Sequence, residues 1–339
     1  MGILQEPIRD GKHVLAGRLV MPPMATGFSD GGYVTDLLID HYVKRSAGQC
    51  LGLVTVEHSF VCPEGKASKN QLSAADDSVI PGLARLADAI HAKRTPVILQ
   101  ISHAGSAFRP FDQSIPLIGP SPVFNPHNTN AIRNGLPLPR QMSLEEIRQL
   151  KEDFISAALR AKKAGFDGVE IHSAHGYLLD TFYSPLTNRR TDDYTGRTLE
   201  GRTRLQTEIL RGIRQKAGED FILSIRLGAG DYTEGGADIS EVPEACRIFE
   251  EAGADMISVS GGLCFYSRPD HKEAGWFSEL SAAAKSAVSI PVLLTGGIQE
   301  YEDAAKLLRE GKADLIGIGR SLLKDRRAAG KMMEMDKMA

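Results

Sequence analysis

Cysteine is scarce: Cys50, Cys62, Cys246 and Cys264 are the only four in 339 residues, and no two form a C-x-x-C pair. That argues against a zinc or iron–sulfur centre built from this chain and against a disulfide framework, leaving buried thiols as the simplest reading. Long apolar runs are missing too, so no membrane span is expected. The N-terminus, Met1-Gly2-Ile3-Leu4-Gln5-Glu6, lacks a charged-then-apolar leader, and Glu6 stands where a myristoylation signal wants Ser or Thr. A cytoplasmic location is the expectation. Neither sign of charge dominates: 40 basic against 43 acidic residues give a net charge of −3. No global basic field therefore favours nucleic acid. The remaining composition, 42% hydrophobic and 24% charged, is that of a globular domain with a large core.

Eight short apolar stretches recur along the chain: Leu19–Met21, Leu53–Val56, Val97–Ile101, Gly168–Ile171, Ile222–Leu227, Met256–Val259, Val292–Leu294 and Leu315–Ile318. They read as strands without polar alternation, buried on both faces of a parallel sheet. Between them lie segments of helical periodicity: Val79–Lys93, Leu144–Ala164, Arg202–Lys216, Val242–Glu251, Ser278–Ala287 and Glu302–Arg309. Ser143-Leu144-Glu145-Glu146 forms a capping-box pattern, and Pro243 falls in a first helical turn, where its missing N–H costs little. Eight such units predict an α/β protein of the closed (β/α)8, or TIM-barrel, type. The rival is a doubly wound open sheet, but its Gly-x-Gly-x-x-Gly fingerprint is absent: the first strand runs into Pro22-Pro23-Met24-Ala25-Thr26.

Three connections after strands are long. Ala104 to Gln141, with seven prolines, is expected to cover the C-terminal face of the barrel; Tyr177 to Gly201 and Gly261 to Phe277 would sit beside it. One domain over residues 1–330 is expected, with 331–339 a frayed, disordered tail.

Chemistry concentrates in Ile171-His172-Ser173-Ala174-His175-Gly176-Tyr177, where an apolar run ends in two imidazoles and a phenol. On a starting helical turn, histidines three apart would face one way and donate two hydrogen bonds to one acceptor oxygen. Tyr177 would offer a proton from another angle, an arrangement that suits a carbonyl gaining negative charge. Zinc would need a third protein ligand and an acidic base, as in His-Glu-x-x-His, so no metal is expected. Other strand ends carry Pro23, Met24, Ala25, Glu57, His58, Gln100, His103 and Arg226, then Thr295-Gly296-Gly297 and Gly319-Arg320. Glycines after strands seven and eight fit the usual phosphate subsite of this architecture, with Arg320 adding a charge-assisted contact. An amide at Gln100 and a guanidinium at Arg226 complete an inventory that suits flavin mononucleotide.

Arg18-Leu19-Val20-Met21-Pro22-Pro23-Met24, Leu99 to Gly105, and above all His172 through Arg202 with its Ser184-Pro185-Leu186-Thr187-Asn188-Arg189-Arg190-Thr191-Asp192 block closely resemble the old yellow enzyme family of NADH:flavin oxidoreductases and ene-reductases. The resemblance runs from about Pro7 to Arg326. It implies a barrel holding FMN at its mouth, with NAD(P)H as electron donor. By motif position, Pro23, Met24, Ala25 and His58 would line the flavin, largely through backbone atoms. Gln100 and Arg226 would hold its ring, and Gly296, Gly297, Gly319 and Arg320 its phosphate. His172 and His175 would bind a substrate carbonyl, and Tyr177 would protonate. The implied reaction reduces the C=C bond of an α,β-unsaturated carbonyl compound by hydride transfer from reduced flavin N5.

The alternatives are an NADH oxidase or flavin reductase, an amine-oxidising (N-demethylating) flavoenzyme, and a non-catalytic flavin-binding barrel. The sequence departs from branches of the family at Ala25, where they place Thr or Cys, and at Gly27, where some place a substrate-contacting Tyr. A hydrogen bond to the flavin would then come from Thr26 or be lacking. Large relatives continue into a cysteine-ligated cluster segment, whereas no cysteine follows Cys264, so electrons are expected from a nicotinamide or a partner protein. The expected partner is a small-molecule activated alkene, and the sequence leaves room for a homo-oligomer.

Overall fold

The computed structural model describes residues 2–9, 13–107, 112, 114–268, 270, 271 and 273–339. Eight parallel strands close into a barrel: β1 (Leu19–Met21), β2 (Leu53–Phe60), β3 (Val97–Ser102), β4 (Gly168–Ser173), β5 (Ile222–Gly228), β6 (Met256–Ser260), β7 (Val292–Thr295) and β8 (Leu315–Gly317). Each strand pairs with its sequence neighbours, and β8 pairs with β1 through Ile316↔Leu19 to close the ring. Around them lie α1 (Asp36–Arg45), α2 (Ile80–His91), α3 (Leu144–Lys163), α4 (Leu199–Ala217), α5 (Val242–Glu251), α6 (Ser278–Lys285), α7 (Tyr301–Arg309) and α8 (Ala328–Met338). This is the (β/α)8 architecture expected from the repeated units. Among the described residues, no helix is long and apolar enough to cross a membrane.

The strands are not uniformly apolar, as the sequence reading had them. In Val169-Glu170-Ile171-His172, Leu223-Ser224-Ile225-Arg226 and Ile257-Ser258-Val259-Ser260, the apolar members join the core cluster shared with the helices. The residues between them follow the period of two into the barrel interior. At the barrel's N-terminal end the inward side chains are apolar. Val20, Leu53, Ile98, Ile222, Met256, Leu293 and Leu315 form a separate cluster with Ile8 and Leu15 of a small N-terminal hairpin that stops that end. Higher up they turn polar: Gln100 Nε2 donates to Glu170 Oε1 at 2.8 Å, and Ser224 Oγ donates to Glu170 Oε2 at 3.3 Å. A barrel of this size is packed with side chains rather than open, which leaves its C-terminal mouth as the place for a ligand.

Two elements differ from expectation. Helix α1, absent from the sequence reading, begins where the Thr35 hydroxyl accepts from Leu38 N and buries Leu38, His41 and Tyr42. The tail expected to fray is helix α8, with Met332, Met333 and Asp336 buried. Asp336 Oδ2 accepts from Leu4 N at 3.1 Å and Gln5 Nε2 at 3.2 Å, which ties the last helix to the N-terminal segment. Its methionines carry too little periodicity to advertise a buried face, but unbranched thioethers fill such irregular gaps readily.

The loop after β3, expected as a cover, reaches the loops after β5 and β6. Asn125 Nδ2 donates to Leu263 O at 3.0 Å, and His127 Nε2 lies 2.8 Å from Thr233 Oγ1. Arg190 secures the loop after β4 to this cover: its Nη1 donates to Met142 O at 2.6 Å, while the rest of its guanidinium pairs with Asp192.

Candidate active site

All the residues singled out as catalytic or cofactor-binding reach one cavity of about 420 Å³ at the C-terminal mouth. Pro23, Met24 and Ala25 come from the loop after β1, His58 from β2, Gln100 from β3, and His172, His175 and Tyr177 from β4 and its loop. Arg226 comes from β5, Gly296 and Gly297 follow β7, and Gly319 and Arg320 follow β8. Thr26 does not line it: its N–H donates to Glu57 Oε2 at 3.2 Å and its hydroxyl accepts from Phe28 N. Buried His103 is equally a packing residue, its Nδ1 accepting from Gly105 N at 3.0 Å.

The two histidines converge by a route the sequence reading did not foresee. His172 still belongs to the strand, and the following helix starts only at Leu178. His175 adopts a left-handed backbone with φ +62°, followed by Gly176 at φ +71°. A left-handed non-glycine residue costs about 1–2 kcal/mol, so the turn must be held from outside. Asp180 does this, accepting from Gly176 N at 2.7 Å, together with the His175 N–H donating to Gly261 O. The imidazoles end 5.0 Å apart, centroid to centroid, and nearly perpendicular. The Tyr177 ring lies 5.0 Å from His172.

His58 enters by a different device. The register between β2 and β3 shifts between Val56 and Ser59, a bulge that inserts an extra residue and re-aims side chains. Gln71 Nε2 lies 3.1 Å from His58 Nδ1, so the amide donates and Nδ1 accepts, leaving the ring proton on Nε2.

Burial holds all three imidazoles neutral. The pKa of His58 falls to about 4 by desolvation. Those of His172 and His175 fall well below the usual value, first through burial and then through neighbouring positive charge, Arg226 included. A neutral imidazole offers one donor and one acceptor, so tautomers matter. Arg226 Nη2 donates to Ser260 Oγ at 3.4 Å and to Thr295 Oγ1 at 3.2 Å. Ser260 Oγ also lies 2.8 Å from His175 Nε2, a contact in which either atom can donate. Among the residues lining the cavity, His172 Nδ1 and Arg226 Nε are buried without a protein partner. Buried polar atoms are rarely left so, and a ligand at the mouth would compensate them.

Sequence reasoning missed Ser260, Thr295 as a cavity residue, and Tyr266. Ser260 ends β6, the one strand whose C-terminal residue was not inspected, and the strand-end rule would have found it. Glu170 was also missed, although an acid inside an apolar run is a signal. It is fully buried, and it is the carboxylate whose charge favours the buried guanidinium of Arg226. Burial raises the Glu170 pKa, while Arg226 and the Gln100 amide oppose that rise.

The sequence model of the NADH:flavin oxidoreductase / NADH oxidase family matches residues 4–335. The chain belongs to that family. The chain is 39% identical over 324 residues to an NADH oxidase of Thermoanaerobacter brockii, covering 94% of the chain and 48% of the relative. It is 37% identical over 317 residues to an NADPH dehydrogenase of Halalkalibacterium halodurans, covering 92% and 88% respectively. The chain spans about half the length of the first curated relatives it matches. Among solved structures, a 2-naphthoyl-CoA reductase complex superposes with TM-score 0.89 at 28% identity, over 98% of this chain and 52% of that one. Morphinone reductase superposes with TM-score 0.82 at 22% identity over 98% and 90%, which speaks to the fold alone. Membership of the old yellow enzyme family agrees with the resemblance read from the motifs, and it implies a flavin and a reduced nicotinamide.

Proposed function

We propose that this oxidoreductase binds FMN in the mouth cavity and reduces the C=C bond of small α,β-unsaturated carbonyl compounds at the expense of NAD(P)H. The observation that carries the reading is the convergence on one cavity of a neutral His172–His175 pair and Tyr177 with Arg226, Gln100 and Arg320. The donor set suits the cofactor. Arg226 has an uncompensated buried N–H, and Gln100 spends one hydrogen on Glu170, leaving its amide oxygen and second hydrogen for a ring edge. Gly296, Gly297, Gly319 and Arg320 supply backbone and cationic contacts for a phosphate. Pro23, Met24, Ala25 and His58 would flank the ring.

Bound FMN would supply a two-electron carrier that accepts hydride from NAD(P)H and delivers it to the alkene's β-carbon. The protein's part is positioning and charge. His172 and His175 each donate one N–H to the substrate carbonyl oxygen, where negative charge grows as the alkene is reduced. Being neutral, they polarise it without giving up a proton. The Arg226–Ser260–His175 contacts hold the His175 ring in place. Tyr177 holds the proton destined for the α-carbon, as a positioned general acid.

Anaerobic turnover with NADPH and cyclohexenone tests the reading: NADPH should be consumed with the saturated ketone as product. NADPH consumption in air only, with no ketone formed, would instead favour the oxidase activity that the Thermoanaerobacter relative is named for.

A further inference from the structure

The chain's single tryptophan, Trp276, packs against Gly297 and Arg320, which line the end of the cavity where the flavin reading puts a phosphate. The Arg320 guanidinium carbon sits 4.4 Å from the Trp276 ring centroid, and 5.9 Å from that of Tyr266. Arg190 is tied to Asp192, Arg202 to Glu241, Arg214 to Asp255, and Arg268 to Asp270 and Glu279, whereas buried Arg226 donates to the hydroxyls of Ser260 and Thr295. Among the described residues no carboxylate pairs with Arg320, whose contacts are two aromatic faces at the rim of a cavity it lines. Its position is set by the ring, and its charge is left for something else.

Trp276 is itself fixed. Its backbone N–H donates to Gly296 O at 3.2 Å, and that of Gly275 donates to the same oxygen at 2.8 Å. The indole then lies against Gly297, where an added Cβ would stand 2.6 Å from Trp276 Nε1. Gly297 also has φ +71°, so the glycine answers both to its backbone and to the indole's approach. The loop after β6 thus locks through its backbone to the first glycine after β7, while its indole packs on the second and carries the arginine after β8.

From this juxtaposition we infer that Trp276 is a positioning residue for anion binding: it holds Arg320 over the glycine pair so that the cavity selects a flavin bearing a terminal phosphate over one without. This rests on the flavin reading above. A cation held on an aromatic face gains modest affinity and loses the freedom to swing into solvent. Loss of the platform therefore weakens phosphate recognition and leaves ring recognition intact.

The test compares FMN with riboflavin, which share a ring and differ in the phosphate. In the flavin-free wild-type chain, Trp276 emission should be quenched by FMN, and FMN should bind tighter than riboflavin. Trp276→Leu, followed by quenching of flavin fluorescence, should bind FMN about tenfold more weakly with riboflavin affinity unchanged. Trp276→Phe should recover part of the preference, and inorganic phosphate should compete with FMN less well in the Leu variant. A Leu variant with the wild-type FMN-to-riboflavin ratio, or with both affinities reduced equally, overturns the inference while leaving the flavin reading intact. Equal wild-type affinity for the two flavins does the same. A wild-type chain that binds neither flavin overturns the flavin reading and this inference with it.

Discussion

The imidazole of His58 lies nearly parallel to the phenol of Tyr177, at 14° and 5.6 Å between centroids. Gln71 clamps the imidazole from behind, through its ring nitrogen and its carbonyl. The proposed proton donor therefore has a wall that does not rotate. Replacing Tyr177 with Phe should leave flavin reduction by NAD(P)H unchanged and slow alkene reduction about 100-fold or more. His58→Leu should slow the same half-reaction about tenfold, through a looser Tyr177 rather than a lost proton. Separate rates for the two half-reactions, measured by rapid mixing, check both. Equal slowing of both halves would refute the assignment.

The site imidazoles are held neutral by burial, which makes a prediction about ligands that mimic a charged oxygen. The affinity of the FMN-loaded protein for a phenol should follow the phenol's own ionisation, with no inflection near pH 6.5. A titration series across pH 5.5 to 9 with two phenols of different acidity reads this out. A common step near 6.5 for both phenols would mean that a histidine is titrating.

Asp180 holds the left-handed His175–Gly176 turn, and its carboxyl pKa is raised well above the usual value by burial and by the nearby Asp231. A protonated carboxyl that accepts a backbone N–H is well imitated by an amide. Asp180→Asn should therefore keep near-normal stability and phenol affinity. Asp180→Ala leaves the Gly176 N–H unpaired, at a cost of about 1–3 kcal/mol, and should weaken phenol binding. Denaturant melts paired with phenol titrations distinguish the two. Indistinguishable Asn and Ala variants would show that the contact does not hold the turn.

Acid should destabilise the fold through its neutral histidines. His41 and His58 both have pKa values lowered to about 4, chiefly by burial. A group lowered in the folded state gives its full stabilisation above the unfolded value of 6.5. That stabilisation declines below 6.5 and is gone once pH falls past about 4. Glu57, raised to about 7 by burial, works in the opposite sense: its contribution is full below 4.5 and is lost as pH rises through 7. Replacing His41 with Phe should thus make the denaturant midpoint less sensitive to acid between pH 6.5 and 4, giving a changed slope against pH. An unchanged slope would locate the acid sensitivity elsewhere.

Much of this was legible in the chain because a barrel repeats itself. Eight apolar stretches with helices between them leave few other architectures, and the strand-end rule gathered residues that do share one cavity. What escaped detection was set by tertiary geometry. Nothing in Ser173-Ala174-His175-Gly176 announces a left-handed histidine rather than a helical one, since the turn depends on Asp180 and Gly261. The bulge that turns His58 inward depends on the register with β3. Helix α1 was there to be found in the Thr35 cap and the spacing of Leu38, His41 and Tyr42. So was the inward polar phase of β4, β5 and β6, in plain alternation. Helix α8 was not, because its burial is against the N-terminal segment.

The central claim is that one cavity places a flavin beneath His172, His175 and Tyr177. Anaerobic rapid mixing of the FMN-reconstituted protein tests it most directly, first with NADPH and then with cyclohexenone. Flavin absorbance should bleach on the first mixing and return on the second, with return slowed in Tyr177→Phe. A chain that takes up no FMN, or a reduced flavin that stays bleached with every enone and recovers only in air, would contradict the account.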